Sequence, residues 1–219
     1  MRALVTGGTG RVGAAIVAGL EDAGYTVVAA GRPDGDLSRA DAAQDVVRNA
    51  VQSLGGLDLL VNAASDGFWP KPLEEVTEGD WDAALGATAK GSFFVTQAAA
   101  PALRESGGTV VMIEDDAAYQ PWPLFAAHCA AKAAQAMLTR VLARALAPEV
   151  RVCGVAPGPV AVARDQRERR SAETLLQRVG SPADVADAVL YLARASFVTG
   201  ATLVVDGGRL LQSGPGRQA

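Results

Sequence analysis

The sequence predicts an α/β protein in which a single doubly wound domain is built on a mostly parallel sheet. Three observations carry that reading. Apolar runs such as LDLLVNAAS and VRVCGVAPG do not alternate with polar residues, which marks strands buried on both faces. Helical stretches separate these runs, so strand and helix alternate along the whole chain. The first run ends in a glycine-rich turn, VTGGTGRVG, that opens directly into a helical pattern.

The elements follow in order. Arg2 to Thr6 is the first strand, and RVGAAIVAGLEDAG is a helix that closes on Gly24. YTVVAAG is the second strand, and a polar helical stretch over about residues 39 to 54 leads to the third, LDLLVNAAS. A long helix is expected over 77–104, then the strand GTVVMIE, a second long helix over 125–147 and the strand VRVCGVAPG. A helix over 182–194 and the strand ATLVVDGG complete the pattern. Arg164, Arg167, Arg169 and Arg170 are interleaved with Asp165 and Glu168, and read as a solvated helix face. Residues 1–211 form the domain, and the polar QSGPGRQA at 212–219 is read as a flexible tail.

A chain of 219 residues, 49% hydrophobic and 20% charged, suits one domain with a substantial core. A formal net charge of -4 leaves no basic footprint, so no nucleic-acid partner is expected. Cys129 and Cys153 have neither metal-ligand spacing nor the pattern of a secreted disulfide scaffold. No metal is expected, and both cysteines read as reduced thiols. There is no charged leader and no run of about 20 apolar residues, so the expectation is an untargeted cytoplasmic protein without a membrane partner.

Gly7, Gly10 and Gly13 follow a strand and open a helix, the context in which such a turn binds a dinucleotide. Gly7 and Gly10 would admit a pyrophosphate, Gly13 would allow close helix–sheet packing, and the helix N-terminus would supply free N–H donors. The second strand ends in AAGRP, with no Asp or Glu for a ribose 2′-hydroxyl, whereas Arg32 and Arg11 are placed to meet a 2′-phosphate. NADP(H) is therefore expected over NAD(H), the alternative being two solvated arginines. The segment FAAHCAAKAA carries the only histidine, His128, four residues before Lys132 and hence on the same helical face. From that segment alone, a packed and hydrogen-bonded histidine is the plain alternative.

In chain order, TGGTGRVG, LLVNAAS, HCAAK, VRVCGVAPGPV, RVGSPADVADAVLYLA and FVTGATLVVDGG resemble the short-chain dehydrogenase/reductases over nearly the whole length. NAASDGFWPKPL, MLTRVLARALAPEVRV and GVAPGPV look most like the pteridine reductase-like members. The resemblance implies a Rossmann-type fold, a nicotinamide cofactor, and reduction of a carbonyl or pterin-like small molecule. It also implies a homo-oligomer, dimer or tetramer, paired through the two long helices and the last strand. Helix-on-sheet packing within one chain is the other use of their small residues.

Against the family's Asn, Ser, Tyr and Lys, this chain keeps Lys132 and has His128 at the tyrosine position. Asp115 stands at the serine position, thirteen residues before His128, as in the pteridine reductase-like members, and Thr88 stands at the asparagine position. Ala63 replaces a common second asparagine, Cys153 another, and Arg11 falls where the second motif glycine usually lies. Only three residues separate Arg32 from Asp36, where the family usually has a helix and a strand. The sheet is therefore expected to lack one edge strand, leaving a shallower adenine pocket. The resemblance further implies cofactor contacts from Gly7, Gly10, Arg11, Val12, Gly13, Arg32, Asp36, Leu37, Asn62, Ala63, Ala64, Lys132, Pro157, Gly158 and Val160. Substrate contacts are implied for Ser65, Phe68, Trp69, Asp115 and Trp122.

Chemically, a cationic Lys132 favours a neutral, orienting imidazole at position 128, and a carboxylate at 115 would restore an imidazolium donor. That gives an Asp115, His128, Lys132 relay with Thr88 alongside. Asp115 could equally cap the turn at a strand end. Tyr119 as a surrogate phenol is disfavoured because it lies outside the helix carrying Lys132. Two other classes stay open. A degenerate fold serving as a nucleotide-binding or assembly protein would explain the lost Tyr, Asn and Ser together, and a non-redox lyase or isomerase could use His128 and Asp115 in the same cleft.

Overall fold

The computed structural model describes residues 1–66 and 68–212. The strands are β1 (Arg2–Thr6), β2 (Thr26–Ala30), β3 (Leu59–Asn62), β4 (Thr109–Ile113), β5 (Arg151–Pro157) and β6 (Thr202–Val205). They form one parallel sheet in the order β2-β1-β3-β4-β5-β6. Among the described residues no strand lies outside β2, and Arg32–Asp34 is a single 3-10 turn where a further element would begin.

The helices are α1 (Arg11–Asp22), α2 (Ala40–Leu54), α3 (Glu78–Leu85), α4 (Gly91–Ser106), α5 (Ala126–Leu146), α6 (Arg167–Ala172) and α7 (Pro182–Arg194). The strands send alternate residues to two cores. Leu4, Leu60, Val110, Met112 and Val152 pack with α2, α4 and α5, whereas Val5, Val61, Val111, Ile113 and Val155 pack with α1 and α7. Each fully buried leucine in these layers stabilises the fold by about 1.5–3 kcal/mol. Covered on both faces, the strands have no polar side to show, which is why their sequences do not alternate.

Two capping boxes start helices where the sequence turns polar: Thr77 with Asp80 ahead of α3, and Ser181 with Asp184 ahead of α7. The single helix expected over 77–104 is instead α3, a π-turn over Gly86–Lys90, and α4. Gly86 and Gly91 weaken the regular ladder at that point, and the Ser92 hydroxyl donates to the Thr88 carbonyl at 2.5 Å. No described helix is long and apolar enough to cross a membrane. Beyond Gln212, the expected tail lies outside the described residues.

Because the strands are parallel, their C-terminal ends share one edge. Gly7, Gly31 and Ala63 follow β1, β2 and β3 there, and the strand order reverses between β1 and β3, where open α/β sheets form a crevice. Glu114, Asp115 and Asp116 follow β4 on the same edge.

Candidate active site

The glycine turn is built for close approach. Gly7 has φ +67, and a Cβ there would lie 2.6 Å from the Ala63 carbonyl oxygen. A Cβ on Gly13 would lie 2.1 Å from the Gly7 oxygen, so α1 sits directly on the turn. Gly10 is the N-cap of α1 and no side chain caps the helix, which leaves its first N–H groups without a side-chain acceptor.

A cleft of about 670 Å³ opens over these strand ends. Of the residues the sequence singles out, Gly7, Gly10, Arg32, Asp36, Leu37, Ala63, Ala64 and Ser65 line it. The others do not. Arg11 is exposed at the start of α1, and Val12 packs toward the core beneath. Asn62 is buried, its amide donating to Thr96 Oγ1 at 3.0 Å and meeting Met112 Sδ at 3.3 Å. Pro157 ends β5, and Gly158 donates to the Val205 carbonyl at 3.0 Å. Val160 lines a separate pocket of about 390 Å³ beside β6.

Two carboxylates, Asp66 in the cleft wall and Asp34 beside the end of β2, escape a reading by sequence distance. The 3-10 turn brings Asp34 back so that its Oδ2 accepts from Gly31 N–H at 2.8 Å, directly at the end of β2. Arg32 donates to Asp66 Oδ2 at 2.8 Å, an ion pair between two residues of the cleft wall. Asp36 accepts from Ser38 N–H at 3.0 Å, and its hydrogen bonds with Ser38 hold its carboxyl below the usual range.

The second cluster lies at the end of β4. Asp115 caps the 3-10 turn Asp116–Ala118, its Oδ1 accepting from Ala117 N–H at 2.8 Å, while its Oδ2 lies 3.6 Å from His128 Nε2. His128 is buried, and neither ring nitrogen has a hydrogen-bond partner among the described residues. Phe68 meets the imidazole edge-on with centroids 4.9 Å apart, and Trp122 lies nearly parallel to it at 6.4 Å. Trp69 is exposed and shares with His128 a crevice of only about 10 Å³.

One turn along α5, the Lys132 ammonium donates to the Ile113 carbonyl at 2.8 Å and to Gln135 Oε1 at 3.1 Å. Burial pushes its pKa down to about 8, against the opposing fields of Asp115 and Glu114. Burial alone would raise the Asp115 carboxyl, but the facing imidazole, the Lys132 charge and the Ala117 N–H together hold it below the usual range. Thr88, in the π-turn, has Oγ1 3.2 Å from Ser65 Oγ in the cleft wall, and its carbonyl connects to Lys132 through Ser92 and Gln135.

A further network surrounds the cluster. Asp116 is fully buried and accepts from Arg209 Nη1 at 2.9 Å. Burial, with the neighbouring Asp115 charge, raises its pKa to about 7 although Arg209 opposes the shift. The same guanidinium reaches Glu173 at 3.0 Å and lies 4.7 Å from the Trp122 ring centroid, so it braces the aromatic wall beside His128. Tyr119 is committed elsewhere: its hydroxyl donates to Glu114 Oε2 at 2.6 Å, and burial with that carboxylate raises its pKa to about 12. Among the described residues no group of three His, Cys, Asp or Glu side chains could hold a metal ion. Together the two clusters offer a cradle for a nucleotide next to an imidazole, a carboxylate and an ammonium fit for moving a proton.

Comparison with known proteins gives concordant matches. A family model described as Enoyl-(Acyl carrier protein) reductase matches residues 14–209. Dehydrogenase/reductase SDR family member 4 of Pongo abelii is 35% identical, over 94% of this chain and 86% of its own. Among solved structures, a short-chain dehydrogenase/reductase from Serratia marcescens superposes with TM-score 0.87 at 30% identity, covering 95% of this chain and 97% of its own. A 7α-hydroxysteroid dehydrogenase complexed with NADH and 7-oxo glycochenodeoxycholic acid superposes with TM-score 0.86 at 27% identity, covering 94% of this chain and 93% of its own.

Proposed function

The chain belongs to the short-chain dehydrogenase/reductase family, and from that premise we propose that it is an NADP(H)-dependent oxidoreductase of a carbonyl or pterin-like small molecule with an altered proton-donor set. One observation carries the reading. Asp115, His128 and Lys132 converge at the end of β4, and a hydrogen-bonded chain from Lys132 through Gln135, Ser92, Thr88 and Ser65 reaches a cleft whose floor is the glycine turn.

The cleft suits a dinucleotide because Gly7 and Gly10 line it without side chains, and because α1 begins there without a side-chain cap. Bound there, a nicotinamide cofactor would supply the hydride. Gly7, Gly10, Asp36, Leu37, Ala63 and Ala64 would hold it, and Arg32 would exchange Asp66 for a 2′-phosphate. Asp34 and Asp66 suit a ribose hydroxyl instead, which keeps NAD(H) as the alternative; the hydroxysteroid dehydrogenase neighbour was solved with NADH.

Proton delivery falls to the chain's own residues. A protonated His128 can direct Nε2–H at Asp115 and offer the other proton from Nδ1, so the carboxylate selects which nitrogen faces the substrate. Lys132 adds positive potential beside the developing alkoxide, and Phe68 and Trp122 supply aromatic walls for a planar substrate. Exposed Met137 and Val141 on α5 are the apolar side chains that pairing into a dimer or tetramer would cover.

A second reading, a nucleotide binder without turnover, has an observation of its own: His128 is 2% exposed and the crevice it borders is about 10 Å³. Fluorescence titration with NADPH and NADH, followed by a carbonyl and pterin panel, separates the two. Binding with turnover that disappears in Lys132→Ala supports the reductase. Binding without turnover supports the binder, and failure to bind either cofactor at millimolar concentration overturns both.

A further inference from the structure

Lys132 does not hang free at the site. Gln135, three residues further along the same face of α5, is completely buried, an unusual place for a primary amide unless both of its ends are bonded. Both are. Its Oε1 accepts from Lys132 Nζ at 3.1 Å, and its Nε2 donates to Ser92 Oγ at 2.8 Å. Ser92 in turn donates to the Thr88 carbonyl in the π-turn, so its oxygen has only an acceptor role left for the amide. That fixes which way round Gln135 sits, with its carbonyl end on the ammonium.

We propose that Gln135, anchored by Ser92, is the positioning residue that holds Lys132 in its charged form and aims its ammonium at the reaction site. This deepens the reductase reading and rests on it for its effect on turnover. The ammonium has three protons. The Ile113 carbonyl and Gln135 Oε1 take two, leaving one uncommitted among the described residues on a side chain flanked by the carboxyl groups of Asp115 and Glu114 from the end of β4 and by His128 on its own helix. The anchoring groups from α4 and the π-turn, Ser92 and the Thr88 carbonyl, are neutral. Neutral acceptors orient and stabilise a cation without cancelling the charge that chemistry needs.

The test reads Lys132 directly. The chain has only three lysines, Lys71, Lys90 and Lys132, so protein labelled with ε-13C lysine gives a simple NMR titration in the unliganded enzyme. Gln135→Leu removes the acceptor and should lower the Lys132 midpoint by about one pH unit or more. Gln135→Glu puts a carboxylate against the ammonium and should raise it. Opposite shifts in two variants that both retain the native fold by circular dichroism are not what a merely structural glutamine would produce. If either variant folds and leaves the midpoint unmoved, the proposal is overturned. Turnover is scored separately: shifted midpoints in a protein that reduces no substrate would retain Gln135 as the lysine's anchor and reject the reductase reading instead.

Discussion

His128 Nε2 stands 3.6 Å from Asp115 Oδ2, beyond hydrogen-bond length, and the imidazole is buried with both nitrogens unpaired among the described residues. A buried polar group in that state costs about 1–3 kcal/mol of folding stability. His128→Phe keeps a ring against Phe68 and Trp122 and removes the unpaired nitrogens. It should leave the fold as stable as the wild type or more so, by about 1 kcal/mol, while reducing turnover at least about 100-fold. Denaturant midpoints and steady-state rates check the two halves, and a destabilised His128→Phe protein would mean the imidazole is structural.

The Arg32–Asp66 pair makes cofactor choice testable from both sides. Arg32→Ala should weaken NADPH binding about tenfold and leave NADH nearly unchanged, since only a 2′-phosphate uses the guanidinium. Asp66→Asn should tighten NADPH a few-fold by releasing Arg32, the gain being small because the arginine is largely exposed. Equal losses for both cofactors in Arg32→Ala would remove the case for NADP(H).

Asp116 makes stability depend on pH. Its folded-state pKa of about 7 lies above the ordinary 3.8, so its contribution to stability is complete at acid pH and is lost as pH rises through 7. Between pH 5 and about 7.5 the wild type should therefore lose more stability than Asp116→Asn, by up to a few kcal/mol. Parallel unfolding profiles for the two proteins would show that Arg209 already holds the carboxylate ionised.

At Gly13 a single methyl is the probe. With a Cβ 2.1 Å from the Gly7 oxygen, Gly13→Ala must displace the turn or α1, costing about 1–3 kcal/mol as overpacking does. Cofactor affinity should fall by more than about tenfold, measured by the same fluorescence titration. A variant that binds normally would show that the turn does not hold a pyrophosphate.

The fold was legible because its signals are local and repeated. Val61, Val111 and Val155 sit in runs that could only be strands buried on both faces, and four residues between His128 and Lys132 place them on one helical face. What stayed hidden depends on pairings across the chain. Asp116 meets Arg209 from 93 positions away, and Gln135 meets Ser92 from 43. No periodicity encodes such partners. Asp34 is a subtler case: its carboxylate reaches the end of β2 only because the chain turns in a 3-10 conformation immediately after it. A glutamine in the buried stripe of an alanine-rich helix was the signal available for Gln135, since apolar residues fill such stripes unless a partner demands otherwise.

The π-turn at Gly86–Lys90 accommodates one residue more than a regular turn, and one residue is about 100° of helical rotation. It divides the segment into two halves with independent phase, α3 packing on α5 and α4 packing on α2. Loss of a single codon there would delete no large core side chain, yet it would turn the Thr88 side chain and Ser92 out of step with each other. A change of one residue in length at this turn would therefore reset the phase between α3 and α4 while leaving the large core side chains of both in place.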